Sequence, residues 1–204
     1  MALATWLAFL LAAILIAVSP GPGAATIMST GLRHGYWTTL RTILGLQSAL
    51  LIQLGVVAAG LGALLSTSTT AFNVMKVLGA GYLIWLGIQK WRDAPRQIED
   101  QNTDAPRGLF MQGLLVNLTN PKAVVFMAAL TPQFIDPARP QWLQFVIIGV
   151  TMCSVDSIVM SGYALLAARL RRWLRNPRAQ RVQNRFFGGV FVGAGALLAV
   201  SGKS

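Results

Sequence analysis

The chain has little of what soluble enzymes work with. Of its 204 residues only 6 are Asp or Glu, one is cysteine, one is histidine, and 11% are charged, against about 25% charged in an ordinary soluble domain. A single cysteine, Cys153, excludes an internal disulfide and a cysteine-cluster metal site. With His34 as the lone histidine, no His/Cys set for zinc can be assembled. Cys153 lies in an apolar run and reads as a packing residue. A membrane enzyme would need clustered nucleophiles, metal ligands or paired carboxylates, and this composition lacks them. Neither a metal nor a cofactor is expected.

What the chain does have is apolar length: 54% of residues are hydrophobic and the mean hydropathy is +0.58. A membrane span takes roughly 20 mostly apolar residues. The sequence supports six, at about 2–31, 43–65, 71–89, 109–132, 142–168 and 186–201. The first run lacks the basic amino-terminal region of a cleaved signal peptide, and apolar sequence resumes after its break, so it reads as a span.

The net charge of +11 is resolved by its distribution. Arg33 and Arg41 fall between spans one and two. Lys90, Arg92, Arg96 and Arg107 fall between three and four. Seven arginines, from Arg169 to Arg185, fall between five and six. The alternate loops carry almost no basic residues, with only Arg139 in 133–141 and Lys203 at the carboxyl end. Basic loops stay cytoplasmic, which puts both termini outside. The arginine-rich segment suits anionic lipid far better than nucleic acid, which is not expected as a partner. Lys76, near a span end, reads as snorkelling to the interface.

The longest loop, 90–108, is polar and punctuated by Pro95 and Pro106, the character of a linker. The chain thus reads as one transmembrane domain of two three-span halves, about 1–90 and 108–204. An odd number of spans per half makes the second enter the membrane from the opposite side, as in an inverted repeat. Glycines at Gly189 and Gly193 have the small-xxx-small spacing of helix packing.

Each half opens with a broken span. The first break is Ser19-Pro20-Gly21-Pro22-Gly23 and the second is Asn117-Leu118-Thr119-Asn120-Pro121-Lys122. Proline removes a backbone donor, and in lipid each freed backbone group needs another partner. Paired broken helices are where transporters hold their substrates. Ser19-Pro20 and Asn120-Pro121 each match an N-cap followed by proline at the first helical position. Each restart would aim free amides and a positive dipole end into the membrane interior, a site for a carboxylate. The alternative is that the prolines merely kink two helices.

Ionisable groups inside the spans are costly, about 2.5–3.5 kcal/mol each at the helix centre. Asp156 is the acidic residue within the six spans, and it reads as a substrate-ammonium or proton site, the alternative being a carboxyl that ties helices together. Lys122 could neutralise Asp156 or attract a carboxylate. Gln47 and Gln53 face either a neighbouring helix or a pathway, and spacing does not separate the two. The candidate substrate-binding set is Ser19, Pro20, Gly21, Pro22, Gly23, Gln47, Asn117, Asn120, Pro121, Lys122 and Asp156, with Asp156 also the proton-coupling candidate.

Taken with His34-Gly35-Tyr36, Gly45-Leu46-Gln47 and Gly79-Ala80-Gly81-Tyr82-Leu83-Ile84-Trp85-Leu86-Gly87, the two proline motifs make the chain resemble the lysine-exporter superfamily. Within it the resemblance is to the homoserine/threonine-resistance branch, including the homoserine and homoserine-lactone efflux proteins, and it runs over nearly the whole chain. It implies inner-membrane export of small amino acids driven by proton exchange. Many members carry Asn after the second proline of the first motif, where this chain has Gly23. Expected partners are a small amino acid and the bilayer, with a homo-oligomer left open. Export of another small solute or cation, and a passive channel, are the alternatives, although a cation exporter would want more acidic, His and Cys ligands.

Overall fold

A computed structural model describes residues 1–67, 77, 80, 81, 84, 85, 87–89, 91, 92, 108–167 and 176–200. Among these residues all regular structure is helical: α1 (Leu3–Val18), α2 (Pro22–Thr67), α3 (Leu109–Leu118), α4 (Pro121–Val125), α5 (Gln141–Leu165) and α6 (Pro177–Val200). α4 continues through a π turn, Phe126–Leu130, into a 3-10 turn, Thr131–Phe134. Most of the expected third span, most of the linker 90–108, Lys76, residues 168–175 and Lys203 lie outside the described residues.

Among the described residues two helices are long and apolar enough to cross a membrane, Pro22–Gly60 and Gln141–Leu165. A third span forms if α3 and the Pro121–Phe134 segment, bent by 54° at the break, count as one. The outer faces suit lipid. Along α1, Leu3, Leu7, Leu11, Ile14 and Val18 form an exposed stripe at helical spacing. Water would meet that stripe at about 25 cal/mol per Å², whereas hydrocarbon does not.

Two sequence-derived boundaries are corrected. The expected basic loop between spans one and two is a single non-helical residue, Gly35, at φ 75 and ψ 172. Glycine reaches that positive φ without a Cβ penalty, so helix resumes at once and Arg41 sits on α2. The last helix begins at Pro177, not near 186. There the Asn176 side chain accepts from the Arg178 amide at 2.9 Å, and proline follows at the first helical position. Arg178, Arg181 and Arg185, expected in a loop, therefore share one face of α6, three and four residues apart.

Glycine sets the tightest crossings. A Cβ on Gly45 would collide with the Phe110 carbonyl, and one on Gly113 with the Thr42 carbonyl, so α2 and α3 approach backbone to backbone. On α6 the close approach falls at Gly188 and Gly195, where a Cβ would lie 2.7 Å from the Gly87 carbonyl and from the Ile84 side chain respectively. Gly189 meets only Trp91 at 3.5 Å, and Gly193 meets nothing within 4 Å, so the expected pair is displaced. Two apolar clusters fill the interior. One is built around Phe9, Phe126 and Ile148, and the other around Ile27, Leu46 and Met160.

Candidate functional site

The two breaks meet inside the protein, and their freed carbonyls are taken up by Lys122 of the second break and by side chains of α2 and α5. At the first, Ser19 precedes a proline and takes an extended conformation, φ −65 and ψ 115, as the Pro20 ring requires of its neighbour. α1 therefore ends at Val18, with the Ser19 amide donating to the Leu15 carbonyl at 3.2 Å. Helix restarts at Pro22 and not at Pro20. Ser19 closes α1 where the sequence suggested that it opens the next helix. Gly21 is left between the prolines, and Pro22 takes the first helical position.

The second break forms as the sequence suggests. Asn120 Oδ1 accepts from the Lys122 amide at 3.1 Å, and Pro121 opens α4. Asn120 Nδ2 donates to Asn117 Oδ1 at 3.3 Å, and Asn117 Nδ2 donates to the Leu46 carbonyl at 3.0 Å.

Breaking a helix strands carbonyls, and these are taken up one by one. Lys122 Nζ donates to the Ile16 and Ser19 carbonyls at 2.9 and 2.6 Å. The Tyr163 hydroxyl donates to the Val18 carbonyl at 2.7 Å. Gln53 Nε2 donates to the Asn117 carbonyl at 3.0 Å. A cation at a helix carboxyl end also answers the negative pole of its dipole. Tyr163 was not anticipated from sequence. The signal was present, since Met152, Asp156, Met160 and Tyr163 recur at 4, 4 and 3 residues along α5, one face of a helix.

Between the breaks lies a cavity of about 30 Å³, room for roughly two waters. Gly23 and Ala24, from the first turn of α2, form one wall; Asn117, Asn120 and Lys122 form a second; Asp156 of α5 faces them. Residues of both apolar clusters, among them Leu46, Met160, Phe126 and Met152, close the remainder. Asp156 is 8% exposed and accepts from Gln47 Nε2 at 2.7 Å. A carboxylate only accepts, so Gln47 turns its amide nitrogen to Asp156 and leaves Oε1 buried without a partner. Ser19 Oγ is likewise buried and unpartnered.

Of the sequence-derived candidates, Gly23, Asn117, Asn120, Lys122 and Asp156 thus share one cavity, with Gln47 bonded to its carboxylate. Gly21 lies beneath Lys122, whose Cε would be 3.6 Å from a Cβ placed there. Pro20, Pro22 and Pro121 do not line the cavity, and Pro22 and Pro121 are exposed. They act on the backbone. At Gly23 a Cβ would meet Leu46 Cδ2 at 3.3 Å, so the wall there is backbone against leucine. Among the described residues no group of three or more His, Cys, Asp or Glu side chains could hold a metal ion.

The arrangement offers complementary poles. The first-turn amides of α2, at Gly23 and Ala24, have no carbonyl four residues back within the helix and carry its positive dipole end. Asp156 supplies a negative charge across the cavity. A zwitterion matches that pair.

Comparison with known proteins identifies the family. The model of the LysE type translocator family matches residues 14–202. A homoserine/homoserine lactone efflux protein of Salmonella typhimurium is 47% identical over 196 residues, covering 95% of each chain. An uncharacterized membrane protein of Vibrio cholerae is 45% identical over 198 residues, covering 96% of this chain and 97% of its own. A leucine efflux protein of Klebsiella pneumoniae is 29% identical over 202 residues, covering 95% and 94%. No solved structure matches significantly.

Proposed function

Since the chain belongs to the LysE type translocator family, we propose that it exports a small zwitterionic amino acid of the homoserine or threonine kind across the bacterial inner membrane, in exchange for protons. The observation that carries the reading is the buried Asp156 carboxylate facing a helix amino terminus across a cavity between two broken helices. The substrate carboxylate docks on the Gly23 and Ala24 amides and its ammonium on Asp156, with Gln47 Oε1 as a second acceptor. Asp156 holds either the ammonium or a proton. Competition between them gives exchange without a separate coupling site.

The cavity as it stands is smaller than a whole amino acid, so transport requires its walls to part. The fold reading that goes with this function is one domain of six spans in two inverted halves, with spans one and four broken. Both termini lie outside, and the arginines of the last inner segment lie on anionic lipid. Thiols engineered at 90–108 should resist impermeant reagents added to intact cells, and rapid labelling there would reverse the orientation.

The function itself is tested by export of labelled homoserine and threonine from loaded vesicles, with and without a proton gradient. Gradient-stimulated efflux is expected. Efflux of neither amino acid from vesicles containing folded protein would reject the substrate class, and equal efflux in both conditions would reject the coupling.

A further inference from the structure

Lys122 was a candidate either to neutralise Asp156 or to attract a carboxylate; its charge acts on Asp156 through space, and its ammonium has a second task. It reaches across to the carboxyl end of α1 and donates to the Ile16 and Ser19 carbonyls at 2.9 and 2.6 Å. Beside it, Tyr163 holds the Val18 carbonyl at 2.7 Å. The cut end of α1 is thus held by polar side chains from α4 and α5. The contact of α2 with α3 is made by backbone against glycine at Gly45 and Gly113 and by the neutral amides of Asn117 and Gln53 on backbone carbonyls, none of them a charged group that a substrate charge could draw away. When the walls part to admit a substrate, the hold on α1 is the contact built to let go.

We propose that Lys122 is a positioning latch released by the substrate carboxylate: its ammonium holds the end of α1 and transfers to the carboxylate of an arriving zwitterion. The transfer is short. Lys122 lines the same cavity as Gly23 and Ala24, whose amides are the proposed carboxylate dock, and its Cε and Nζ both lie 3.6 Å from the Cβ position of Gly21, just before that helix start. An ammonium leaving the Ile16 and Ser19 carbonyls at membrane depth would be costly, but a carboxylate compensates it with a charge-assisted bond. A ligand that lacks a carboxylate has no group that can draw Lys122 away. The latch therefore makes the protein select amino acids over amines of the same size, a discrimination that Asp156 alone, reading only the ammonium, does not provide.

The inference rests on the function proposed above, and its test separates the two. Purified full-length protein in vesicles is compared for efflux of homoserine and of the amino alcohol made by reducing its carboxyl group. Wild-type protein should export homoserine at least about tenfold faster than the amino alcohol, the effect of one charge-assisted contact. Lys122→Gln, shown to be folded by its elution and thermal unfolding in detergent, should lose the preference, the homoserine to amino-alcohol ratio falling toward one, because without the latch neither ligand needs a carboxylate to free α1. Lys122→Arg, which keeps the cation, should retain the preference. Parallel loss of both substrates in Lys122→Gln would make Lys122 a structural cap and overturn the latch, as would an undiminished preference. If Lys122→Gln does not accumulate, loss of the preference in a folded Lys122→Arg overturns it, and retention supports it. Failure of wild-type protein to export homoserine at all would sink the proposed function instead.

Discussion

Replacing Asp156 by Asn removes one charge from the cavity and changes almost nothing else. Asn has the same shape, and its Oδ1 can still accept from Gln47 Nε2, which now sits 2.7 Å from the carboxylate. The fold therefore loses only the difference between a charge-assisted and a neutral hydrogen bond, about 1 kcal/mol. The substrate loses more. Its ammonium exchanges an ionised acceptor for a neutral one in a site where Asp156 is 8% exposed, a loss of about 1.5–3 kcal/mol by the worth of hydrogen bonds to charged groups. At 1.4 kcal/mol per decade, apparent affinity should fall roughly 10–150-fold. The variant also has no carboxyl to protonate, so residual efflux should not respond to an imposed proton gradient. The assay is efflux of labelled homoserine from loaded vesicles across a range of internal concentrations, at matched and unequal pH. A raised KM with loss of gradient dependence is expected. Wild-type, gradient-driven export by a folded Asp156→Asn protein would refute the reasoning and leave the carboxyl a tie between α2 and α5.

Two further outcomes follow from the helix breaks and crossings. Pro121→Ala restores the amide that proline removes, while the Asn120 cap still favours a restart; export should fall severalfold with membrane insertion unchanged, and efflux at the wild-type rate would show that the break needs no proline. Gly113→Ala places a methyl group against the Thr42 carbonyl, and overpacking of this kind costs about 1–3 kcal/mol. Thermal unfolding in detergent should shift down by about 2–4 °C per kcal/mol, and an unshifted midpoint would mean that α2 and α3 part easily.

The sequence by itself determined the material and the interruptions. Long apolar runs with few charges admit a membrane more readily than water, and proline cannot donate, so breaks at 19–23 and 117–122 were legible without coordinates. Asn120-Pro121 was legible in detail because an N-cap acts within two residues. Ser19-Pro20 looked the same and was not. With two prolines two residues apart, either could open the helix, and the pre-proline strain on Ser19 assigns it to the end of α1, leaving Pro22 to begin α2. Asn176-Pro177 carried the same local signal, obscured by the arginines around it. A helix may begin in polar sequence when its cap is good, and hydropathy does not register caps.

Only the tertiary structure decided which groups answer one another. Gln47 and Gln53 were equally ambiguous on α2, yet one faces Asp156 across 109 positions of sequence and the other holds the Asn117 carbonyl across 64. Lys122 lies 34 residues before Asp156 and acts on it through space, while its ammonium is bonded to carbonyls 106 and 103 positions away. The physical reason is that a broken helix exposes backbone acceptors without altering any side chain in the sequence. Those acceptors become visible, and claim their donors, only when the second broken helix is packed against the first.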